Sequence, residues 1–272
     1  MKKTYDIFSR LVIVILAIIT LFPFIYMILA SLMSFQEATS IPPKLIPEKF
    51  LFSNYVEAFA KAPFVRYFLN TVFTSLATTT GTLITTILAA FAMVQLNFKG
   101  KGILSLFLAA LLMVPYEITV FTNYQTITKL GLLDTYWALI IPHLASIFYI
   151  FYLKGYLESV PKSFYNAAKV DGCSDLEYIW RVLIPMSKPA LFTMGILSFI
   201  SGWNSFLWPI LVTNSKEMRL ISNGLTAFTT ESGSAVQLQM AASTIAIVPI
   251  FILYLVFRKQ IMRGVSRSGL KG

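Results

Sequence analysis

The feature that most constrains this chain is a succession of apolar runs, each long enough at about 20 residues to cross the hydrocarbon core of a bilayer. They fall at 11–33, 70–94, 103–120, 137–152, 189–211 and 240–257. Inside lipid a segment must satisfy its own backbone polar groups, and a single run of that length does so as a helix. The expected fold is therefore all-α: a polytopic membrane protein with six transmembrane helices and one short helical loop between spans, forming a single domain over 1–272. With 57% of residues apolar and 12% charged, a soluble globular domain is excluded. The first run is too long for a cleaved signal peptide and no small-residue cleavage site follows it, so it is expected to remain as a span.

Orientation follows from lysine and arginine, which accumulate on the cytoplasmic side of short loops. Placing Lys2, Lys3 and Arg10 inside also places inside Lys99, Lys101, Lys154, Lys162, Lys169, Arg181, Lys188 and the cluster from Arg258 to Lys271. That partition is fifteen against seven and puts both termini in the cytoplasm. The net charge of +10 reads as a topology signal and a match to anionic membrane lipid, not as a nucleic-acid footprint. The one cysteine, Cys173, lies on the reducing side and argues against a disulfide framework.

The long polar segment at 161–188 reads as two short helices and a joint. A helix over about 162–169 places Phe164, Ala167, Ala168 and Asp171 on one face. Gly172 suits the left-handed position past a helix end, Ser174 and Glu177 form a capping box, and Pro185 is expected to end the second helix. A small apolar face beside a glycine corner fits docking into another protein's groove; an amphipathic connector lying on the lipid is the other reading. Two further segments, 34–67 and 213–239, are long and read as irregular, either contacts for a soluble partner or plain connections.

Within the spans, Pro23, Pro115, Pro142, Pro209 and Pro249 interrupt the helical pattern. Threonines 71, 74, 78, 82 and 85 share a face with Ala77 and Gly81, a spacing that reads as packing. Glu117, Trp203, Asn204 and Trp208 are candidates for a solute path: Glu117 because a charge near a span end needs water or a partner, the others because indole and amide can stack on and hydrogen-bond to a sugar. Indoles also anchor helices at the interface. His143, alone among histidines, reads as structural, and no metal site is expected. There is no phosphate-binding loop, zinc motif or catalytic constellation, so the chain is expected to be no enzyme, to carry no cofactor, and to leave any ATP to another chain.

The run Asn166-Ala167-Ala168, then Asp171-Gly172, Val182 and Pro185, resembles the EAA loop of ATP-binding-cassette importer permeases. The Pro161-Lys162 lead-in, Gly131 to Thr135, the Trp203-Asn204 pair, Leu207-Trp208-Pro209 and the tail ending Leu270-Lys271-Gly272 are similar to the carbohydrate-uptake branch, in particular the maltose transporter's smaller membrane subunit. The usual first glutamate of the loop is Asn166 here. The resemblance implies an inner-membrane permease that carries a sugar or oligosaccharide, with glycerol phosphate or related polyol phosphates as the alternative and an ATP-independent secondary transporter as a more distant one. It implies a second homologous permease, two cytoplasmic ATPase subunits and an extracellular solute-binding protein as partners. It also implies that Phe164, Asn166, Ala167, Ala168, Asp171, Gly172, Leu270, Lys271 and Gly272 face the ATPase.

Overall fold

The computed structural model describes the backbone of residues 2–230 and 233–268 and the side chains of residues 8–228 and 235–258. In chain order the helices are α1 (Lys2–Ala30), α2 (Phe35–Ala38), α3 (Ser53–Lys61), α4 (Phe64–Gln95), α5 (Lys101–Leu111), α6 (Tyr116–Lys129), α7 (Tyr136–Ile140), α8 (Ile147–Glu158), α9 (Ser163–Val170), α10 (Asp175–Tyr178), α11 (Ile184–Met186), α12 (Lys188–Trp203), α13 (Leu207–Val212), α14 (Ile221–Gly224) and α15 (Val236–Ser268). Two-residue strands β1 (Thr229–Thr230) and β2 (Gly233–Ser234) pair antiparallel. The chain groups into two compact units, Met1–Phe64 with Gly224–Ile252, and Val65–Asn223 with Leu253–Gly272.

In the first unit, α1 is apolar on every side from Leu11 onward: the consecutive residues Leu11, Val12, Ile13 and Val14 are all exposed. A helix of that kind is at home in lipid, and Phe8–Ala30 covers about 34 Å at 1.5 Å per residue. Two carbonyls just past its end are taken by a buried amide: Asn54 Nδ2 donates to Ser31 O at 2.9 Å and to Met33 O at 2.8 Å. The segment after α1 is more regular than its sequence predicts, because Ser34 and Glu37 form a capping box that starts α2. Backbone N–H groups of Ser34 and Glu48 donate to Glu37 and hold its carboxyl down at about 2.

Among the described residues three helices are by themselves long and apolar enough to cross a membrane: Phe8–Ala30, Phe64–Gln95 and Val236–Arg258. The third, fourth and fifth spans of the sequence reading are broken. The stretch expected as one span at 103–120 is two helices, Lys101–Leu111 and Tyr116–Lys129, meeting at 100°. Pro115 is the cause: it has no N–H to donate and holds ψ 138 at the start of α6, so α5 stops after about 16 Å. Tyr136–His143 and Ile147–Glu158 bend by 42°, and Asp175–Met186 and Lys188–Trp203 by 83°. Counting each bent pair once gives six candidate spans among the described residues, a polytopic all-α membrane protein. The stretch expected as one span at 189–211 itself divides, α12 ending at Trp203 and α13 starting at Leu207.

Pro185 does not end the second short helix. Helical winding runs from Asp175 through a π turn at Ile179–Leu183 to Met186. In the wide turn Ile184 N donates to Ile179 O, five residues back, which makes room for a ring that would otherwise clash with the carbonyl of Arg181.

Candidate functional site

In the second unit the threonine face of α4 has two uses. Thr82 Oγ1 donates to His143 O at 2.7 Å and Thr85 Oγ1 to Leu144 O at 2.6 Å, so these two satisfy carbonyls exposed where α7 and α8 part at Pro142. Pro142 also leaves Ala138 O without its helical donor, and Trp208 Nε1 fills the vacancy at 2.9 Å. Gly81 lets the break pack closely: a Cβ there would stand 2.3 Å from Leu144 Cδ2. Packing therefore explains Thr82, Thr85 and Gly81, as the spacing predicts.

The same face, higher up, is not only packing. Thr74, Ser75, Thr78 and Thr82, with Ser198, Ser201 and Ser205 of α12 and its end, surround a cavity of about 240 Å³. His143, Ser146, Tyr149 and Trp208 complete much of the wall. Gly202 brings α12 against α4, since its missing Cβ would meet Ser75 Oγ at 3.0 Å and Ser75 Cα at 3.3 Å. Thr79 and Ser198 share a hydrogen bond of 3.3 Å behind the wall. Two buried wall atoms, Ser75 Oγ and His143 Nε2, have no hydrogen-bond partner among the described residues.

Of the path candidates named from sequence, Trp208 lines this cavity. Trp203 is buried, packed edge-on to Phe68 at 5.7 Å and tilted against Phe199 at 5.9 Å. Asn204 is the exposed C-cap of α12, and Glu117 is exposed in the first turn of α6. His143, expected to be structural, belongs to the wall. The signal that would have found the cavity is the hydroxyl spacing 198, 201 and 205, which puts three serines on one face opposite the threonines.

The segment after α8 is braced from within. α9 turns Tyr165 and Ala168 inward, where Tyr165 meets Tyr178 at 4.9 Å and Phe91 at 6.0 Å. Its end is a Schellman turn: Cys173 N donates to Ala168 O at 2.9 Å, Gly172 N to Lys169 O at 3.1 Å, and Gly172 has φ +80. Ser174 N then donates to Glu177 Oε2 at 2.9 Å and Glu177 N to Ser174 Oγ at 3.3 Å, the capping box of α10. Asp175 Oδ1 accepts from Tyr165 at 2.8 Å and pairs with Lys169 Nζ at 2.6 Å, which raises the lysine above its ordinary value. Facing out are Phe164, Asn166, Ala167 and Asp171 of the sequence-derived set, while Ala168 is 8% exposed. The sequence reading missed Val170, Leu176 and Trp180, which are 87%, 63% and 70% exposed. Leu270, Lys271 and Gly272 lie outside the described residues.

Comparison with known proteins fits this architecture. Residues 81–267 match the family described as binding-protein-dependent transport system inner membrane component. The chain is 31% identical over 277 residues to an arabinooligosaccharides transport system permease protein of Halalkalibacterium halodurans, covering 100% of this chain and 99% of the relative. It is 28% identical over 275 residues to an sn-glycerol-3-phosphate transport system permease protein of Yersinia pestis, covering 98% of each. A crystal structure of a bacterial ABC transporter involved in the import of the acidic polysaccharide alginate matches with a TM-score of 0.82 at 27% identity, over 94% of this chain and 96% of the other. The chain belongs to the binding-protein-dependent transport system inner membrane components and is a multi-pass permease subunit of an ATP-binding-cassette importer.

Proposed function

We propose that this permease forms half of an import path for an oligosaccharide handed over by an extracellular binding protein, with ATP hydrolysed by two partner subunits, one of them docked at α9. The observation that carries the docking is the outward row of Phe164, Ala167 and Val170 on a helix whose other face is locked by Tyr165, Ala168 and Tyr178. Apolar side chains left in water on a rigid support mark a contact surface. Asn166 and Asp171 flank that row, Gly172 sets the corner, and the terminal Leu270, Lys271 and Gly272 reach toward the same ATPase.

Both termini and the 161–188 segment are cytoplasmic in this reading, on the lysine and arginine count. The second homologous permease closes the other half of the path, which passes the cavity at Trp208, and the exposed Asn204 and Glu117 and the buried Trp203 belong to that path. ATP closes the ATPase pair, α9 moves with it, and the bent helices exchange inward-open for outward-open, a rigid-body transmission between two states.

Liposomes holding the complete importer test this. Uptake of labelled arabinotriose is expected to need ATP and the binding protein; uptake that proceeds without ATP overturns the reading in favour of a secondary transporter. A second reading, a polyol phosphate cargo, is favoured by the glycerol-phosphate relatives, and competition by sn-glycerol 3-phosphate for arabinotriose uptake would select it. For the orientation, a membrane-impermeant thiol reagent on intact cells is expected to leave Cys173 unlabelled.

A further inference from the structure

The cavity between α4, α8 and α12 has a chemistry more specific than its family. Its walls carry hydroxyl groups from Thr74, Ser75, Thr78, Ser198, Ser201 and Ser205, and none of its lining residues is lysine, arginine, aspartate or glutamate. Ser75 is 1% exposed, and its Oγ has no partner in the described structure; His143 Nε2, in the wall of the same cavity, is likewise unpartnered. A buried hydroxyl left unpaired costs free energy that a ligand's own hydroxyl, able to donate and accept, recovers on binding.

An anion would find a poorer match. Burying a phosphate or carboxylate requires a paired cation or several aimed N–H donors, and the walls offer no cationic side chain. The start of α8 is electropositive, but there Ser146 Oγ already accepts the N–H of Tyr149 at 3.4 Å. Size narrows the ligand further. At about 240 Å³ the cavity falls below the roughly 300–1,000 Å³ of drug-sized pockets. It fits one ring, not a chain.

We infer that this cavity is a subsite for a single neutral sugar ring, held through Ser75, His143 and the opposed threonine and serine rows, and that it discriminates against anionic cargo. The inference rests on the permease reading above and deepens it: it assigns a sugar-contacting site to this subunit alone and sets its selectivity.

The test uses the complete importer in lipid discs with Thr78→Cys in a Cys173→Ser background, reading the rate of N-ethylmaleimide labelling. Arabinotriose is expected to slow labelling by about tenfold at tenfold its dissociation constant, and sn-glycerol 3-phosphate to leave the rate unchanged. Adding Ser75→Ala removes the unpartnered hydroxyl and is expected to weaken the affinity by about tenfold, so that the same concentration slows labelling only about twofold. Should Thr78→Cys fail to assemble, Ser201→Cys reports on the same cavity. Equal protection by glycerol phosphate overturns the selectivity. No protection by either solute, or no labelling at all, shows a water-filled or closed cavity and overturns the subsite. If ATP-driven arabinotriose uptake persists in those cases, only the subsite falls; if it is absent as well, the importer reading falls with it.

Discussion

The 163–187 and 213–223 segments of the second unit are anchored in opposite ways. The first takes its shape from local bonds: the Schellman turn, the capping box and the Lys169–Asp175 pair all join residues within a few positions of one another, while its hold on the rest is apolar packing on Phe91, Leu153 and Leu157 and one hydrogen bond from Tyr156 Oη to Met186 O. The second is held from far away. Asn70 Nδ2 donates to Glu217 O at 2.7 Å and to Arg219 O at 3.0 Å, Ile221 N donates to Thr71 Oγ1 at 2.8 Å, and Asp134 Oδ1 accepts from the amides of Asn214 and Ser215. A self-braced segment can move as a piece without losing its shape, whereas a segment stapled to α4 moves only with α4. In the proposed function the first is the part expected to move and the second a fixed platform.

The largest expected effect lies on the fixed side. Asn70 is 1% exposed, accepts from Tyr136 at 2.6 Å and donates twice, so Asn70→Leu strands buried polar groups. A loss of about 2–3 kcal/mol is expected, read as a lower thermal midpoint of the purified complex with ATPase subunits still bound. Loss of the ATPase subunits instead would show that the two segments are coupled and break the contrast. Gly172→Val should do the reverse. A Cβ there meets nothing within 4 Å, so the cost is backbone alone, about 1–2 kcal/mol at φ +80. Co-purification of the ATPase subunits, or solute-stimulated hydrolysis, should fall while the thermal midpoint changes little; wild-type behaviour in both would remove Gly172 as the joint.

Ser174→Ala takes one arm of the capping box and is expected to cost about 1 kcal/mol, seen as faster amide exchange across α10 with the 213–223 amides unchanged. The smallest effect is in pH. Lys169 is raised from 10.5 by its hydrogen bond to Asp175, so its contribution is full below that value and is lost as pH rises through the higher folded one. At Asp134, burial pushes the carboxyl up but the amides of Ser215 and Asn214 outweigh it, leaving it below 3.8. Its contribution is full above 3.8 and is lost as pH falls through the lower folded value. A nitroxide on Cys173 should therefore gain mobility in alkali while one placed by Asn214→Cys does not.

The same contrast explains what the sequence made legible. Ser174 with Glu177 and Gly172 after a short apolar period are local patterns, and local patterns survive as text. Asn70 shows nothing in the sequence, because its partners lie 147 and 149 residues away. Length and hydropathy located the spans but not their breaks, since Pro115 halts a helix while Pro23 and Pro249 sit inside unbroken ones. The hydroxyls of α4 were visible as a face, yet whether a face meets a neighbour or a void depends on what arrives opposite, here the serines of α12.

Trp208 carries one last consequence. Its indole N–H closes a hydrogen bond that α7 cannot complete, because Pro142 removed the donor. In hydrocarbon an abandoned carbonyl finds no water to replace what it lost. Pulling α13 from α7 would strand that carbonyl, so in the proposed transport cycle the two fragments are expected to travel together as one corner, with access alternating along seams on other sides of the path.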